Sequence, residues 1–320
     1  MAYDLLGTAG MTNGMKQFFS RKLLVRAVPN FVHAGHGDQD GIPSGEGRSI
    51  EWRRYERPGA ATTALTDGTP GAVTNLTISA VQATIDQYGA YNQHSEVLQL
   101  QNYDPFLNSW ASMWGEHMGD TIDIIARNVL TAGTTVQFAS TAASRGAVGG
   151  STSFRINYAE IREATATLDS NDAKPLDDNK FLAIIHPNTK AEIFADSDIL
   201  TSFQQAYPRG PENPLAKGEI GDFYGIRWLV SSNARVFGSQ GASGADVYAT
   251  LVFGRNWYGE VDYEAMGSRM IVKAVGSGGP ADPLDQLGTH GWKAAYVAAI
   301  TNQNFGVRIE HTVRLGDEGV

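Results

Sequence analysis

The stretch DPFLNSWASMWGEHMGDTIDIIARNVLTAG, residues 104–133, predicts one long helix. Asp104 is a suitable N-cap, Pro105 fits the first helical position, and Gly133 fits a stop in the left-handed conformation. At 1.5 Å per residue, a helix over 104–132 would be roughly 40 Å long. We therefore expect this helix to organise the rest of the chain.

Helical spacing divides this stretch into three stripes. One stripe is apolar, and the third is polar and mostly acidic. The second consists of small residues such as Gly115 and Gly119, where we expect another element to approach closely. The acidic residues of the third stripe are Glu116, Asp120 and Asp123. We interpret them as a face turned to solvent or to a partner, rather than as a carboxylate site for a metal or for acid–base catalysis. The pattern alone would also fit an ordinary core helix.

Composition excludes several classes of protein. A chain of 320 residues is expected to form one large domain or two interleaved domains. Its net charge of −9 argues against a general nucleic-acid binder. Without cysteine, the chain forms no disulfide and no cysteine-ligated zinc site. The sequence begins without a signal-peptide pattern and contains no apolar run of ~18 residues, so we expect no membrane partner.

Residues 48–100 predict a long hairpin. Apolar and polar residues alternate over 49–56, turn-forming residues follow, and alternation resumes at 76 before changing face near 81, which suggests a bulge or a crossing. A two-stranded hairpin is not stable alone, so it must lie on its own core or on a neighbouring subunit. Its predicted contact residues are Trp52, Tyr55 and Leu65. Its basic residues are Arg53, Arg54 and Arg57.

The remainder of the chain mixes helices and strands. Asn157 is expected to start a second amphipathic helix, and FLAIIH (residues 181–186) to form a strand buried on both faces, followed by a helix from Pro187. Further strands are predicted at 226–231, 247–253 and 270–275, and the C-terminal part predicts two more extended segments over 291–314. Without regular alternation of strand and helix, the fold class is α+β.

No motif for catalysis or for cofactor binding is present. His33, His36, Asp38 and Asp40 form only a fragment of a metal-binding pattern, for which a polar loop is the better interpretation. His186 is interpreted as a turn residue before proline, His117 as a satisfied core histidine, and His290 and His311 as isolated. We therefore predict neither an enzyme nor a bound metal or cofactor.

Seven short segments together resemble the major capsid proteins of tailed phages of the Hong Kong 97 type, nearest the branch of N4-like phages. They are QYGAY (87–91), YDPFL (103–107), AIIHP (183–187), GEIGDFYGIR (218–227), DPLDQ (282–286), GWK (291–293) and VRIE (307–310). The resemblance implies self-assembly into the hexamers and pentamers of an icosahedral head that encloses double-stranded DNA. It also implies a separate scaffold, portal and cement proteins as partners, and DNA packaged without sequence-specific binding.

The resemblance also implies a division of the chain into parts. Residues 1–47 would be the N-arm, 48–100 the extended loop, and 181–285 the axial domain. Residues 101–180 and 286–320 would form the peripheral domain, with 104–132 as its spine helix. Some members join neighbouring subunits by a lysine–asparagine bond from the extended loop. This chain has no lysine between Lys22 and Lys174, so no such crosslink is expected.

Assembly is therefore expected to depend on non-covalent contacts. We predict that the basic hairpin lies near the acidic stripe of a neighbouring spine helix, with the three apolar contact residues carrying more of the binding energy. One exposed ion pair contributes only ~0–1 kcal/mol. The alternative is a secreted or surface β-rich binding protein, which would predict a signal peptide and a monomer.

Overall fold

The structure is a computed structural model that describes residues 32–65, 67–68, 71, 73–101, 106–176, 179–206, 222–263, 267–278 and 282–314. Residues 1–31 of the predicted N-arm and the predicted caps Asp104 and Pro105 lie outside these ranges. The strands are β1 (Asp38–Ile42), β2 (Ser49–Tyr55), β3 (Ile78–Thr84), β4 (Asp86–Ser95), β5 (Val136–Phe138), β6 (Phe181–Ile185), β7 (Asp222–Phe223), β8 (Ile226–Val230), β9 (Val236–Phe237), β10 (Val247–Phe253), β11 (Tyr258–Tyr263), β12 (Arg269–Lys273), β13 (Leu287–Ile300) and β14 (Gly306–His311). The helices are α1 (Glu96–Gln101), α2 (Phe106–Leu130), α3 (Tyr158–Ser170), α4 (Pro187–Ala195) and α5 (Ser197–Ala206).

The first sheet is built around the long strand β13. One edge of β13 pairs with β4 over ten residues, and its other edge pairs with β12 and then with β11, to which β1 adds in parallel. The helix α2, which we call the spine helix, packs on one face of this sheet. Its buried Met118, Ile122 and Ala126 meet Trp292 and Tyr296 of β13. Gly115 and Gly119 are buried, as the stripe of small residues predicted.

The second sheet has the order β5-β14-β10-β6-β8-β7, with β9 on the remaining part of β10. Strand β6 is buried at every residue, as its apolar run predicted. Helix α3 begins at the predicted cap, where the side chain of Asn157 accepts a hydrogen bond from the Glu160 N–H. Its Ile161 and Leu168 join Ile193 of α4 in the core of this sheet.

The hairpin is shorter than predicted. Strands β2 and β3 form a two-stranded sheet of their own, and the chain then crosses at the buried Ile85 into β4 of the first sheet. The change of face near residue 81 therefore marks a crossing, and the hairpin strands end at Thr84 rather than near 100.

The two sheets also draw on segments that the sequence analysis divided differently. Strands β11 and β12 lie in the first sheet with β13, although 181–285 was predicted as one domain. Strands β5 and β14, which were predicted in the other domain, lie in the second sheet. The chain therefore passes between the sheets more often than the expected boundaries at 180 and 285 imply.

The spine helix ends at Leu130, and Gly133 does not have a positive φ. The predicted left-handed stop at Gly133 is therefore wrong. Instead, the Arg308 guanidinium of β14 donates hydrogen bonds to the carbonyl oxygens of Thr131 and Gly133. An arginine from the second sheet thus caps the carboxyl end of a helix that packs on the first sheet, where a positive charge also favours the helix dipole.

Candidate assembly interface

The hairpin and its connecting loop carry an exposed apolar surface. Five large apolar side chains are more than half exposed: Tyr55 72%, Leu65 79%, Val73 88%, Leu76 71% and Ile78 55%. Tyr55 and Leu65 were predicted as contact residues, and the other three were not singled out. Single exposed apolar residues are ordinary, but five along one hairpin and its loop are typical of an interaction surface.

Trp52 does not belong to this surface. Its indole Nε1 donates a hydrogen bond to Asp40 at 2.7 Å. Its ring lies so close to Gly259 that a Cβ there would be 2.6 Å from it. Trp52 packs beside Val261 and Ala295, on the face of the first sheet opposite the spine helix. Trp52 is half-buried and its observed partners lie in its own subunit, so its contact with a neighbouring subunit stays a prediction.

Two of the three hairpin arginines are paired within the hairpin. The Arg53 guanidinium lies 2.5 Å from Glu51, and the Arg54 guanidinium lies 2.6 Å from Glu56. Hydrogen bonding to Arg53 lowers the pKa of Glu51, and hydrogen bonding to Glu51 raises the pKa of Arg53. Arg57 is exposed and has no acidic partner among the described residues. The positive charge that the hairpin offers to a partner is therefore concentrated at Arg57.

The acidic stripe of the spine helix is divided by burial. Asp120 is exposed and Glu116 is half-buried, but Asp123 is completely buried. Asp123 therefore does not face a neighbouring subunit, which corrects its assignment to the partner-facing stripe. A helical wheel groups the three residues on one face, but another part of the chain covers the end of that face.

The covering segment is the N-arm root, residues 32–37. Asp123 accepts hydrogen bonds from the backbone N–H groups of Val32 (2.9 Å) and His33 (2.6 Å). His33 Nδ1 lies 2.9 Å from the other carboxylate oxygen, and Asn233 donates to that oxygen at 3.3 Å. Burial alone would raise the pKa of Asp123, but the hydrogen bonds and charge of His33 lower it overall. Asp123 therefore stays ionised and fastens the N-arm root to the spine helix.

A second buried acid also holds this segment. Both carboxylate oxygens of Glu260 in β11 accept the Gly35 N–H, at 2.9 and 2.8 Å. The Tyr258 hydroxyl donates to the His33 carbonyl oxygen at 2.6 Å. Strand β1 continues the attachment by pairing with β11 along five residues. Residues 32–42 are thus held by the spine helix and the first sheet together.

The histidines have mostly structural surroundings. His186 caps α4, with its Nδ1 accepting the Asn188 N–H, which agrees with a turn residue before proline. His117 is exposed rather than in the core, but its Nδ1 accepts from Trp292 Nε1 at 3.0 Å. His290 is not isolated as expected: its ring centroid lies 4.8 Å from that of His94. Burial lowers the pKa of His290 to about 4.

One buried ion cluster was missed by the sequence analysis. The completely buried Glu310 of β14 binds Arg145 through two hydrogen bonds (2.8 and 2.7 Å) and Arg308 through one (2.8 Å). Arg308 is the residue that caps the spine helix, so this ion cluster stabilises the junction between helix and second sheet. No local pattern identifies it, because Arg145 and Glu310 are 165 residues apart.

The described residues offer little for catalysis. Among them, no three histidine, cysteine, aspartate or glutamate side chains come close enough together to hold a metal ion. Within the same residues, no helix has the length and apolar character required to cross a membrane.

Comparison with known proteins decides the family. The model of a phage capsid protein family matches residues 77–309, well over half of the chain. The chain belongs to this phage capsid protein family. It is therefore a structural component of the virion capsid rather than an enzyme, and the alternative of a secreted binding protein is set aside. No curated protein sequence matches the capsid protein.

Solved capsid structures agree with the family. The capsid protein is similar to the capsid of Ralstonia phage GP4, with 13% identity, a TM-score of 0.68 and coverage of 90% of each chain. It is similar to the capsid of cyanophage Pam1, with 17% identity, a TM-score of 0.65 and coverage of 90% of this chain and 92% of the other. It is also similar to the capsid of cyanophage P-SCSP1u, with 15% identity, a TM-score of 0.66 and coverage of 87% of each chain. These similarities confirm the predicted α+β fold of the Hong Kong 97 type.

Proposed function

We propose that this capsid protein is the major subunit of an icosahedral head, assembles into hexamers and pentamers around double-stranded DNA, and is nearest the N4-like branch. The observation that carries the assembly proposal is the β2–β3 hairpin, a two-stranded sheet with five exposed apolar side chains. The hairpin packs on the first sheet through Ile50 and Trp52, whereas its five exposed apolar side chains face away from the core of the subunit, and a two-stranded sheet with that much exposed apolar surface is at best marginally stable in water. In a closed symmetric shell, every copy can rest its hairpin on the next.

The contact we propose joins the hairpin of one subunit to the spine helix of a neighbour. Tyr55 and Leu65 supply the apolar contact, and Arg57 lies near Glu116 and Asp120 of the neighbour. Apolar anchors carry most of the binding energy in protein interfaces, whereas one exposed ion pair adds only ~0–1 kcal/mol. Arg53 and Arg54 contribute less than first expected because glutamates of their own hairpin already pair with them.

The parts of the subunit are proposed accordingly. The extended loop is the β2–β3 hairpin, and the segment through β1 is the base of the N-arm. The first sheet with the spine helix is the peripheral domain, and the second sheet is the axial domain. Further proposed partners are a separate scaffold, a portal and cement proteins. Packaged DNA is proposed to lie inside without sequence-specific binding, which is consistent with the net charge of −9.

The first experiment is negative-stain microscopy and sedimentation of the full-length protein. We expect closed shells, tubes or rings from the wild type. A Tyr55→Ser, Leu65→Ser double variant should sediment as a monomer with an unchanged melting temperature, because both side chains are exposed. Leu284→Ser is the matched control, since Leu284 is 75% exposed but lies outside the hairpin.

Assembly by the double variant at the wild-type yield would contradict the proposed contact. If the wild type alone remains a monomer, co-expression with neighbouring phage genes tests the need for a scaffold. Failure to form shells even then would contradict self-assembly of this chain.

The charged part of the contact is tested separately. Arg57→Glu should lower the yield of assembled particles at low salt, and the deficit should shrink as salt rises, because a Debye length of ~3 Å at 1 M screens exposed charges. A yield that is independent of both the reversal and the salt concentration would exclude the proposed pairing.

A further inference from the structure

Part of the first sheet is left uncovered on the face opposite the spine helix. Met270 and Val272 of β12 pack toward the spine helix, so Ile271 between them lies on this other face. One half of the face is covered by the base of the hairpin. The other half, where β4, β13 and β12 lie side by side, has an open cavity of about 490 Å³ that Ile271 lines. This volume is within the ~300–1,000 Å³ typical of binding pockets.

Two glycines form the floor of this cavity, Gly89 of β4 and Gly291 of β13. A Cβ at Gly89 would lie 2.7 Å from the carbonyl oxygen of Trp292. A Cβ at Gly291 would lie 2.5 Å from the carbonyl oxygen of Ala90. The close approach of the two strands therefore requires glycine at both positions, which leaves bare backbone on this face. Tyr91, which is 69% exposed, stands beside the floor.

The charged lining of the cavity is basic. Lys273 and Lys293 line it, and no acid is among the lining residues that the structure describes. Arg269 lies opposite Lys293 in the pairing of β12 with β13 and adds a third cation. None of the three forms an ion pair with a described residue. In a chain with a net charge of −9, this concentration of cations around an apolar cavity fits a partner segment that is both acidic and apolar.

Helix α1 has that composition. Three of its six residues are large, apolar and exposed: Val97 57%, Leu98 44% and Leu100 77%. Its first turn carries the acid Glu96, and its last turn carries no base. Helical spacing places Leu100 on the same face as both Glu96 and Val97. Helix α1 therefore presents one exposed face with an acid and two apolar side chains.

In its own subunit, α1 is held away from the cavity. The Glu96 N–H donates a hydrogen bond to the carbonyl oxygen of Gln286, immediately before β13. The cavity floor at Gly291 is about five residues further along, which is about 17 Å at ~3.4 Å per residue. No described residue of α1 lines the cavity. An α1 that fills the cavity therefore belongs to another copy of the chain.

We propose that α1 of one copy docks in this cavity of a neighbouring copy. Val97 and Leu100 then cover Tyr91, and Glu96 lies near Lys273 and Lys293. The proposal rests on the proposed assembly, to which it adds a contact that does not involve the hairpin.

Cysteine crosslinking tests this contact directly, because the chain has no cysteine of its own. A Gln87→Cys, Leu98→Cys double variant places one thiol at the cavity and one on α1. Strand β4 separates these positions by about 27 Å, so a short bismaleimide does not join them within one chain. In assembled particles we expect intermolecular products on a denaturing gel. The matched control, Gln87→Cys with Asp169→Cys on the exposed surface of α3, should give none above background.

Substitutions on α1 test the apolar and charged parts of the contact by sedimentation. Leu100→Ser should weaken association at least about tenfold, because a leucine side chain loses its burial in the contact. Val230→Ser, an exposed apolar residue of the second sheet, is the matched control. Glu96→Lys should weaken association about two- to fivefold, and adding Lys293→Glu to the same chain should restore it, because the pair is then reversed.

The crosslinked products also report the symmetry of the contact. Dimers alone indicate a two-fold contact, whereas longer ladders indicate a ring, and both support the proposal. Particles that give no crosslink above the control overturn it, as does an electron cryo-microscopy map in which another segment fills the cavity. If the wild type stays a monomer, the same crosslinking at high protein concentration decides, and its failure there overturns the proposal. Particle formation is scored separately by sedimentation, so intact particles without the crosslink are distinct from a failure of assembly.

Discussion

Replacing Asp123 by alanine should release the N-arm root from the spine helix. The carboxylate accepts three hydrogen bonds of 2.6 to 2.9 Å from Val32 and His33. In the Asp123→Ala variant, these donors lose their acceptor in a site that is completely buried. The exposed Asp120, one turn earlier on the same helix, provides the matched control as Asp120→Ala.

The size of the expected loss of stability follows from these three hydrogen bonds. A hydrogen bond to a charged group contributes about 1.5–3 kcal/mol, so three independent bonds would give about 4.5–9 kcal/mol. The bonds share one acceptor and are not additive, and the root can detach locally instead of leaving its donors buried. The loss is therefore limited to the free energy that holds the root, for which we expect about 2–4 kcal/mol. Asp120→Ala should change stability by less than about 0.5 kcal/mol.

Hydrogen exchange of the unassembled subunit is the direct assay. A loss of 2–4 kcal/mol corresponds to about 30- to 1,000-fold faster exchange of the amides in residues 32–42. Amides of β6 in the second sheet should be much less affected. If Asp123→Ala and Asp120→Ala exchanged alike in residues 32–42, the hydrogen bonds to Asp123 would not be what holds the root.

Lowering the pH should weaken the attachment of residues 32–37 as the Asp123→Ala substitution does. Because the pKa of Asp123 in the folded protein lies below its ordinary value of 3.8, its contribution is complete above about pH 4 and is lost as pH falls further. The protection factors of residues 32–42, in which the slower intrinsic exchange in acid is taken into account, should therefore fall below pH 4 in the wild type and change less in Asp123→Ala.

Three other perturbations test the core. Glu310→Ala should lower the free energy of unfolding, measured with urea, by about 3–5 kcal/mol. The reason is that it removes the buried carboxylate that binds both Arg145 and Arg308. Burial lowers the pKa of His311 to about 4, so the unfolded state binds more protons between pH 6.5 and 4. Stability should fall by up to about 3 kcal/mol over that range, and His311→Gln should flatten the slope of the urea midpoint against pH. Gly306→Ala should lower the free energy of unfolding by at least about 1–3 kcal/mol, because the new Cβ would overlap the ring of Trp257. Gly146→Ala is the control and should change the melting temperature little, because no atom lies within 4 Å of its new Cβ.

Local patterns were sufficient where neighbours in sequence decide the structure. The spacing of apolar and small residues predicted the spine helix and the buried positions of Gly115 and Gly119. The apolar run at 181–185 predicted a strand buried on both faces, and Asn157 predicted the start of α3. These features depend on periodicity and on capping, which act within a few residues.

Pairing between distant segments was not accessible to the same reasoning. Strand β4 was taken as part of the hairpin because it follows β3 directly, yet it pairs with β13, about 200 residues later. Strand β11 was not predicted, and its pairing with β1 and β13 places it in the first sheet. The register and the partner of a strand depend on which distant segments pair with it, and a single sequence does not show which segments those are.

The candidate interface shows the same division. The sequence by itself determined which charged residues each element carries, and for the spine helix the helical wheel also stated that the three acids share a face. Only the tertiary structure decided which members of those faces remain accessible. It turned Trp52 onto its own sheet, paired Arg53 with Glu51, and buried Asp123 beneath the N-arm root. The physical reason is that periodicity fixes the direction of a side chain relative to its own element, whereas the element that covers it comes from elsewhere in the chain.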